Sequence, residues 1–116
     1  MKNASLGARE RLRLSSRFDA IRRQGRWARG RFLTIGILPN GLTVTRVGLR
    51  VQRGVKKAVV RNRSKRMFRT AYRMNKHQFK NGFDIVVVIS RLYTGGDAAA
   101  LEHDLMKLGN SLKLLR

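Results

Sequence analysis

The chain has 116 residues, with 27 lysines and arginines, 6 aspartates and glutamates and a formal net charge of +21. It contains no cysteine, which excludes disulfides, thiol catalysis and cysteine-based zinc sites and fits a reducing compartment, with the cytoplasm as the default. The longest apolar run, residues 85–89, is far below the ~18 residues that span a bilayer, so no membrane partner is expected.

The positive charge is unevenly distributed along the chain. No carboxylate occurs between Asp19 and Asp84, whereas residues 84–116 hold four acidic and four basic residues. A hydrophobic content of 42% in periodic order favours a folded domain over a disordered arm or a membrane-active peptide. We therefore expect residues 1–116 to form one nucleic-acid-binding domain.

The first 24 residues predict a tail followed by a short helix. Residues 1–14 are a basic segment that is either an extended, flexible arm lying on phosphate or a frayed end. Ser16 is predicted as the N-cap of a helix over residues 17–24. Asp19 would complete a capping box, and Gly25 would end the helix.

Residues 27–53 predict a loop and two strands. Residues 27–31 are interpreted as a loop, with Trp27 in a packing role; base stacking is the alternative. A strand follows over residues 32–38, and its periodicity does not identify the buried face. Residues 39–41, Pro-Asn-Gly, predict a tight turn of the hairpin type leading to a second strand over residues 43–53.

The second strand alternates between two kinds of residue. One predicted face is apolar and inward: Thr45, Val47, Leu49 and Val51. The other is polar and outward: Arg46, Gly48, Arg50 and Gln52. A basic face with a central glycine permits close approach of a nucleic-acid backbone, but a solvated sheet face has the same pattern and is slightly favoured on these residues alone.

The stretch over residues 53–75 predicts a helix with two chemically different sides. At about 100° per residue, one side is a buried stripe: Val60, Ser64, Met67, Phe68, Ala71 and Met74. The remaining circumference, here called the cationic ridge, comprises Arg61, Asn62, Arg63, Lys65, Arg66, Arg69 and Arg73. Like charges one turn apart destabilise a helix slightly, so the ridge indicates a polyanionic partner; a merely solvated surface is the alternative.

The last third predicts a connector, a strand and a closing helix. Residues 76–82 form a polar connector, and residues 83–90 form an inner strand whose only charged residue is Asp84. Asp97 is predicted to cap the closing helix, whose stripe is Leu101, Leu105, Leu108, Leu112 and Leu115. His77 and His103 are expected to be solvated, and no catalytic or metal-binding arrangement is expected in the protein.

Residues 58–66, which read AVVRNRSKR, resemble the RNR signature of the bacterial ribonuclease P protein subunit. Further matching features occur in order at residues 17–19, 38–42, 46–51 and 81–88. The likeness extends over about residues 9–115. It implies an α+β fold, a single-domain α/β sandwich with a central mixed sheet of about four strands and flanking helices. It also implies a left-handed βαβ crossover around the central basic helix, against the general right-handed rule.

The resemblance implies a function as well. In this family the protein binds a catalytic RNA and the 5′ leader of precursor tRNA, and the complex removes the leader as an endonuclease. The RNA carries the chemistry with Mg²⁺, so the protein itself is expected to bind no cofactor. Two rivals are a structural RNA-binding protein of ribosomal type and a non-specific DNA-compacting protein; the signature with its ordered flanks disfavours the first, and the lack of a dimer element the second.

The resemblance and the cationic ridge together predict two groups of site residues. The signature helix would bind RNA through Arg61, Asn62, Arg63, Lys65, Arg66, Arg69 and Arg73. The leader cleft would include Phe18, Arg22, Ile35, Arg46 and Arg50.

This chain departs from the family pattern in a consistent direction. Arg22 and Ile35 stand where aromatic residues are common, and Arg50 and Gln52 stand where small hydroxyl residues are usual. Residues 56–57, both lysine, replace a Gly-Asn pair before the signature helix. We therefore expect leader binding to depend more on charge than on stacking, and hence more on salt concentration.

Overall fold

The computed structural model describes residues 12, 14–94 and 96–116. The predicted N-terminal arm, residues 1–14, lies almost entirely outside this range. The helices and strands are α1 (Leu14–Gln24), β1 (Arg26–Arg29), β2 (Leu33–Pro39), β3 (Arg46–Val51), α2 (Ala58–Asn75), β4 (Phe83–Ile89) and α3 (Ala98–Ser111). A short 3-10 turn, Lys76–Gln78, follows α2.

The four strands form one mixed sheet in the order β1-β2-β4-β3. β4 is antiparallel to β2 and parallel to β3, so α2 is the crossover between the parallel pair. This confirms the α+β fold with a central four-stranded mixed sheet. The left hand of the crossover stays a prediction from the family resemblance.

The turn at residues 39–41 does not close a hairpin, which corrects the sequence interpretation. β4 lies between β2 and β3, so the turn instead joins strands that are not neighbours. The side chain of Asn40 accepts a hydrogen bond from the backbone N–H of Leu42 at 2.7 Å and donates one to Asp84 Oδ1 at 3.0 Å. Asn40 thus fastens the turn to β4, a contact that local turn chemistry does not reveal.

The true hairpin lies where a loop was predicted, at residues 27–31. β1 pairs with β2 in antiparallel register, and Gly30 donates a backbone hydrogen bond to the Leu33 carbonyl at 2.7 Å. The buried carboxylate of Asp104 on α3 accepts hydrogen bonds from three successive backbone N–H groups, those of Arg31, Phe32 and Leu33. Because this support comes from the far end of the chain, the local sequence does not signal the hairpin.

The main core lies between one face of the sheet and the helices α2 and α3. The predicted stripe of α2 is correct at Ser64, Phe68 and Ala71 but wrong at Met74, which is 61% exposed. Tyr72 and Asn75 are buried instead. The stripe is rotated because α3 covers this flank of α2, where Asn75 donates a 2.7 Å hydrogen bond to Glu102.

The opposite face of the sheet is partly covered by α1. Ile21 and Val86 are fully buried there, and Phe18 packs against them. The end of the helix at Gln24 is as predicted, but α1 begins at Leu14, so Ser16 lies inside the helix and is not its N-cap.

The C-terminal prediction is largely confirmed. Asp97 caps α3 by accepting a hydrogen bond from the Ala99 backbone N–H at 2.9 Å. The leucine stripe of α3 is buried: Leu101, Leu105 and Leu108, with Leu112 just beyond the helix. Leu115 was predicted in the same stripe, but α3 ends at Ser111 and Leu115 instead pairs with Phe79 in a β-bridge. The connector holds a missed core residue, Phe79, which is 2% exposed. No helix in the described part of the chain is long and apolar enough to cross a membrane.

Asp84 is the centre of a buried polar cluster on the α1 side of the sheet. Its carboxylate is fully buried and accepts two hydrogen bonds from Arg46 at 2.8 Å each and one from Arg17 at 2.7 Å, besides the one from Asn40. Burial alone would raise the pKa of Asp84, but the hydrogen bonds from Arg46, Asn40 and Arg17 outweigh it and lower that pKa below its ordinary value. The cluster joins α1, the turn after β2, β3 and β4.

We expect Asp84→Asn to lower the free energy of unfolding by about 3–5 kcal/mol, because it leaves two guanidinium groups facing an uncharged partner. Urea or thermal unfolding measures this. Asp19→Asn is the matched control, since Asp19 forms only an exposed 3.5 Å pair with Arg22, and it should cost less than about 1 kcal/mol. Equal losses in the two variants would contradict the structural role of Asp84.

The same cluster predicts an acid-sensitive component of stability. Because the folded pKa of Asp84 is lowered, its contribution is complete above the unfolded pKa of about 3.9 and is lost as the pH falls through the folded value. The stability difference between the native chain and Asp84→Asn should therefore be constant near neutral pH and shrink below about pH 4. Denaturant midpoints of both proteins across this range test it, and a gap that does not narrow in acid would argue against it.

Candidate nucleic-acid interface

The cationic ridge covers the outer surface of α2. Four of its members are exposed: Asn62, Arg63, Arg66 and Arg69. The other three are partly buried: Arg61, Lys65 and Arg73. No acidic residue occurs anywhere in α2, so its solvent side presents a continuous positive surface about 27 Å long at 1.5 Å per residue.

Arg61 differs from the other ridge residues because it also holds the backbone that precedes the helix. Its Nη1 atom donates hydrogen bonds to the carbonyls of Val55 at 2.8 Å and Lys56 at 2.9 Å. No side chain caps the N-terminus of α2, where Lys57 occupies the N-cap position. Arg61 therefore orders the connection from β3 and keeps the two lysines next to the signature.

A second basic surface lies on the α1 side of the sheet. The strand register places Arg50 beside Val88, which in turn lies beside Thr34. The guanidinium carbon of Arg50 stands 4.9 Å from the ring centroid of Phe18. Phe18 and Arg50 are thus brought together across α1 and β3, as the predicted cleft requires.

Two other predicted cleft residues lie on the same side with different surroundings. Arg22 is one helical turn after Phe18, and its side chain is 67% exposed. Arg46 is bound on two of its nitrogens by Asp84. Arg22 is available to an incoming anion, whereas Arg46 mainly neutralises a buried carboxylate.

Ile35 does not belong to this surface. It is 0% exposed and lies in the main core, on the opposite face of the sheet from Phe18. The alternation of β2 places Gly36, not Ile35, on the α1 side. The prediction of Ile35 as a cleft residue is therefore wrong, because its apolar side chain is buried in the main core between the sheet and the helices α2 and α3.

Trp27 supports this surface. The sequence predicts it in a loop, but it lies in β1. Its Nε1 atom donates a 3.1 Å hydrogen bond to the Ile21 carbonyl, and its ring meets Phe18 edge to face at 6.5 Å. The ring lies flat against Gly36, where a Cβ atom would approach it to 2.6 Å. A glycine facing a lone tryptophan across paired strands was the available signal.

The acidic and histidine side chains are dispersed or already engaged. His77 and His103 are both exposed, as predicted. Asp84 is paired with arginines, and Asp104 accepts hydrogen bonds from backbone N–H groups. Across residues 12, 14–94 and 96–116, no three His, Asp or Glu side chains come together in a way that could hold a metal ion.

Comparison with known proteins points to one family. The family model described as Ribonuclease P matches residues 6–113. The Ribonuclease P protein component of Caldanaerobacter subterraneus subsp. tengcongensis is 31% identical over 98 residues, 84% of each chain. That of Thermotoga maritima is 39% identical over 84 residues, 72% of each chain.

Solved structures agree with this. The structure of the RNase P protein from Thermotoga maritima superposes with a TM-score of 0.76 at 32% identity, over 85% of this chain and 94% of that one. The Staphylococcus aureus RNase P protein superposes with a TM-score of 0.81 over 92% and 98% of the two chains, and at 20% identity it shows the shared fold.

The packing of Trp27 yields a prediction. We expect Gly36→Ala to push the indole off the sheet, because the added methyl would overlap the ring. Trp27 is the only tryptophan, so its fluorescence emission should shift to the red as the ring becomes solvated. Gly96→Ala is the control, since a Cβ there meets nothing within 4 Å. An unchanged emission spectrum in Gly36→Ala would refute the close packing.

Proposed function

This chain belongs to the ribonuclease P protein family, and on that premise we propose that it binds the catalytic RNA and the 5′ leader of precursor tRNA. In this role it assists Mg²⁺-dependent endonucleolytic removal of the leader in the cytoplasm. Family membership also favours this function over the ribosomal-type and DNA-compacting alternatives. The observation that carries the proposal is the pairing of two separate basic surfaces, one on α2 and one beside Phe18.

The ridge on α2 is assigned to the catalytic RNA. Its exposed arginines carry forked guanidinium groups, which form bidentate hydrogen bonds to phosphate oxygens. A surface of this kind positions a nucleic-acid backbone without reading its sequence. That suits an RNA partner recognised by its shape.

The surface beside Phe18 is assigned to the leader. An aromatic ring and arginines on an open sheet face bind single strands by stacking and charge, with little sequence preference. General processing of many precursor tRNAs requires such tolerance. The family resemblance supports this assignment.

The chemistry is assigned to the RNA, with Mg²⁺ held outside this protein. Two of the described carboxylates, Asp84 and Asp104, are buried and satisfied by donors of the protein itself, and the described acidic and histidine side chains form no cluster of three that could hold a metal ion. The contribution of this chain is to bring phosphate groups close together and to offset their repulsion with positive charge.

The direct test is cleavage of a precursor tRNA by a bacterial ribonuclease P RNA at low Mg²⁺, with and without this protein, using two leader lengths. We expect cleavage to require the protein, and we expect the protein to increase cleavage more for the precursor tRNA with the longer leader. RNA binding without any rescue of cleavage would favour a purely structural RNA-binding role.

The ridge assignment predicts the salt dependence of RNA binding. Arg66→Ala should weaken binding of the catalytic RNA and reduce the slope of log K against log salt by about 1, because one phosphate contact is lost. Titrations at several salt concentrations measure this. Lys107→Ala removes the same charge from the exposed side of α3 and should leave the slope nearly unchanged. The same slope for both variants would place the RNA elsewhere.

A further inference from the structure

The ring of Phe18 is only partly exposed. It meets the Trp27 ring edge to face, and the side chain packs against the buried cluster of Leu12, Ile21 and Val86. Arg50 lies over the ring, with its guanidinium carbon 4.9 Å from the centroid. A base that stacks directly on Phe18 would have to displace Arg50 first.

We propose that Arg50 determines how this cleft holds the leader: a leader base stacks on the guanidinium plane of Arg50, and Phe18 supports that guanidinium from beneath. The inference rests on the proposed function, since it takes the leader of precursor tRNA as the ligand. In this arrangement the leader base contacts a cation in the cleft instead of an aromatic ring.

The position of Arg50 over the ring follows from its surroundings. The buried carboxylate on this side of the sheet, Asp84, lies beside Arg46 and not beside Arg50, and it is already paired with Arg17 and Arg46. Among the described residues, no ion pair joins Arg50 to a carboxylate. The negative face of an aromatic ring is then a favourable partner for the guanidinium, which is more weakly hydrated than an ammonium group.

A supported guanidinium offers two kinds of contact with single-stranded RNA. Its flat face stacks on any base, and its N–H groups reach a neighbouring phosphate. Lysine has the same charge but no plane. The stacking part of the contact therefore distinguishes arginine from lysine at residue 50, whereas the charge part does not.

Phe18, which supports the Arg50 guanidinium, is itself held by Trp27. Trp27 donates a hydrogen bond to the Ile21 carbonyl of α1 and lies flat against Gly36. Its ring meets the Phe18 ring edge to face, at an interplanar angle of 83°. Arg50, Phe18 and Trp27 thus form a continuous chain of contacts from the cleft surface to the sheet.

The test uses the protein assembled with a bacterial ribonuclease P RNA and precursor tRNAs that carry a single 2-aminopurine at each leader position in turn. Affinity, salt slope and fluorescence quenching are measured for the native protein, Arg50→Lys, Arg50→Ala, Phe18→Ala and the double variant Phe18→Ala/Arg50→Lys. Arg53→Lys, an exposed arginine just beyond β3, is the matched control. Thermal unfolding of each variant checks that it is folded.

We expect Arg50→Lys to weaken leader-dependent binding about fivefold or more and to relieve the quenching at one leader position, with an unchanged salt slope. In the Arg50→Lys background, Phe18→Ala should weaken binding little further, because both changes disrupt the same stacking contact.

Three results would overturn the proposal. Native affinity and quenching in Arg50→Lys would mean that only charge matters. Stronger quenching in Arg50→Ala would mean that the base stacks on Phe18 and that Arg50 merely covers it. Equal affinity of the native protein for precursor tRNAs with long and short leaders would contradict leader binding in this cleft, and with it the proposed role of Arg50.

Discussion

The buried carboxylate of Asp84 holds several elements of this strongly cationic chain in position. Asp84 lies near the start of an otherwise apolar strand and has no contact with solvent. An ionised group in that position is stable only if cations and hydrogen-bond donors surround it. Arg17 and Arg46 supply these charges from two different elements, and this requirement fixes α1 and β3 relative to β4.

This arrangement separates cations that are paired within the protein from cations that remain exposed. Arg46 is held by Asp84, and Arg61 holds the loop before α2, so both are partly used within the protein. The exposed arginines of α2 have no acidic neighbour on their helix, and Arg50 has a ring beneath it. The arginines therefore differ in role. The partner of each guanidinium distinguishes those that are bound within the protein from those that are not.

The two faces of the sheet follow the same division. One face is covered by α2 and α3 and forms the main core, where Ile35 and Phe68 are buried. The other face is only partly covered by α1, so aromatic and basic side chains remain near solvent at its open end. The crossover helix carries the cationic ridge away from this face. One small domain can thus present two basic surfaces to different parts of an RNA assembly.

The composition of both surfaces, and most of the helices and strands, follow from local sequence patterns. Charge of one sign around an amphipathic helix and an alternating basic strand are local patterns, so α2 and β3 were predictable. The closing helix and its Asp97 cap were predictable for the same reason, because a cap acts within one turn. The cleft that joins Phe18 to basic residues was predicted only through the family resemblance.

Only the tertiary structure decided which strands are neighbours and which faces are buried. The turn at residues 39–41 favours a hairpin locally, but insertion of β4 pairs both flanking strands with it instead. The β1 hairpin depends on Asp104, and the inward orientation of Ile35 depends on packing against distant helices. Such choices are made by contacts between residues far apart in the chain, and local periodicity carries no information about them.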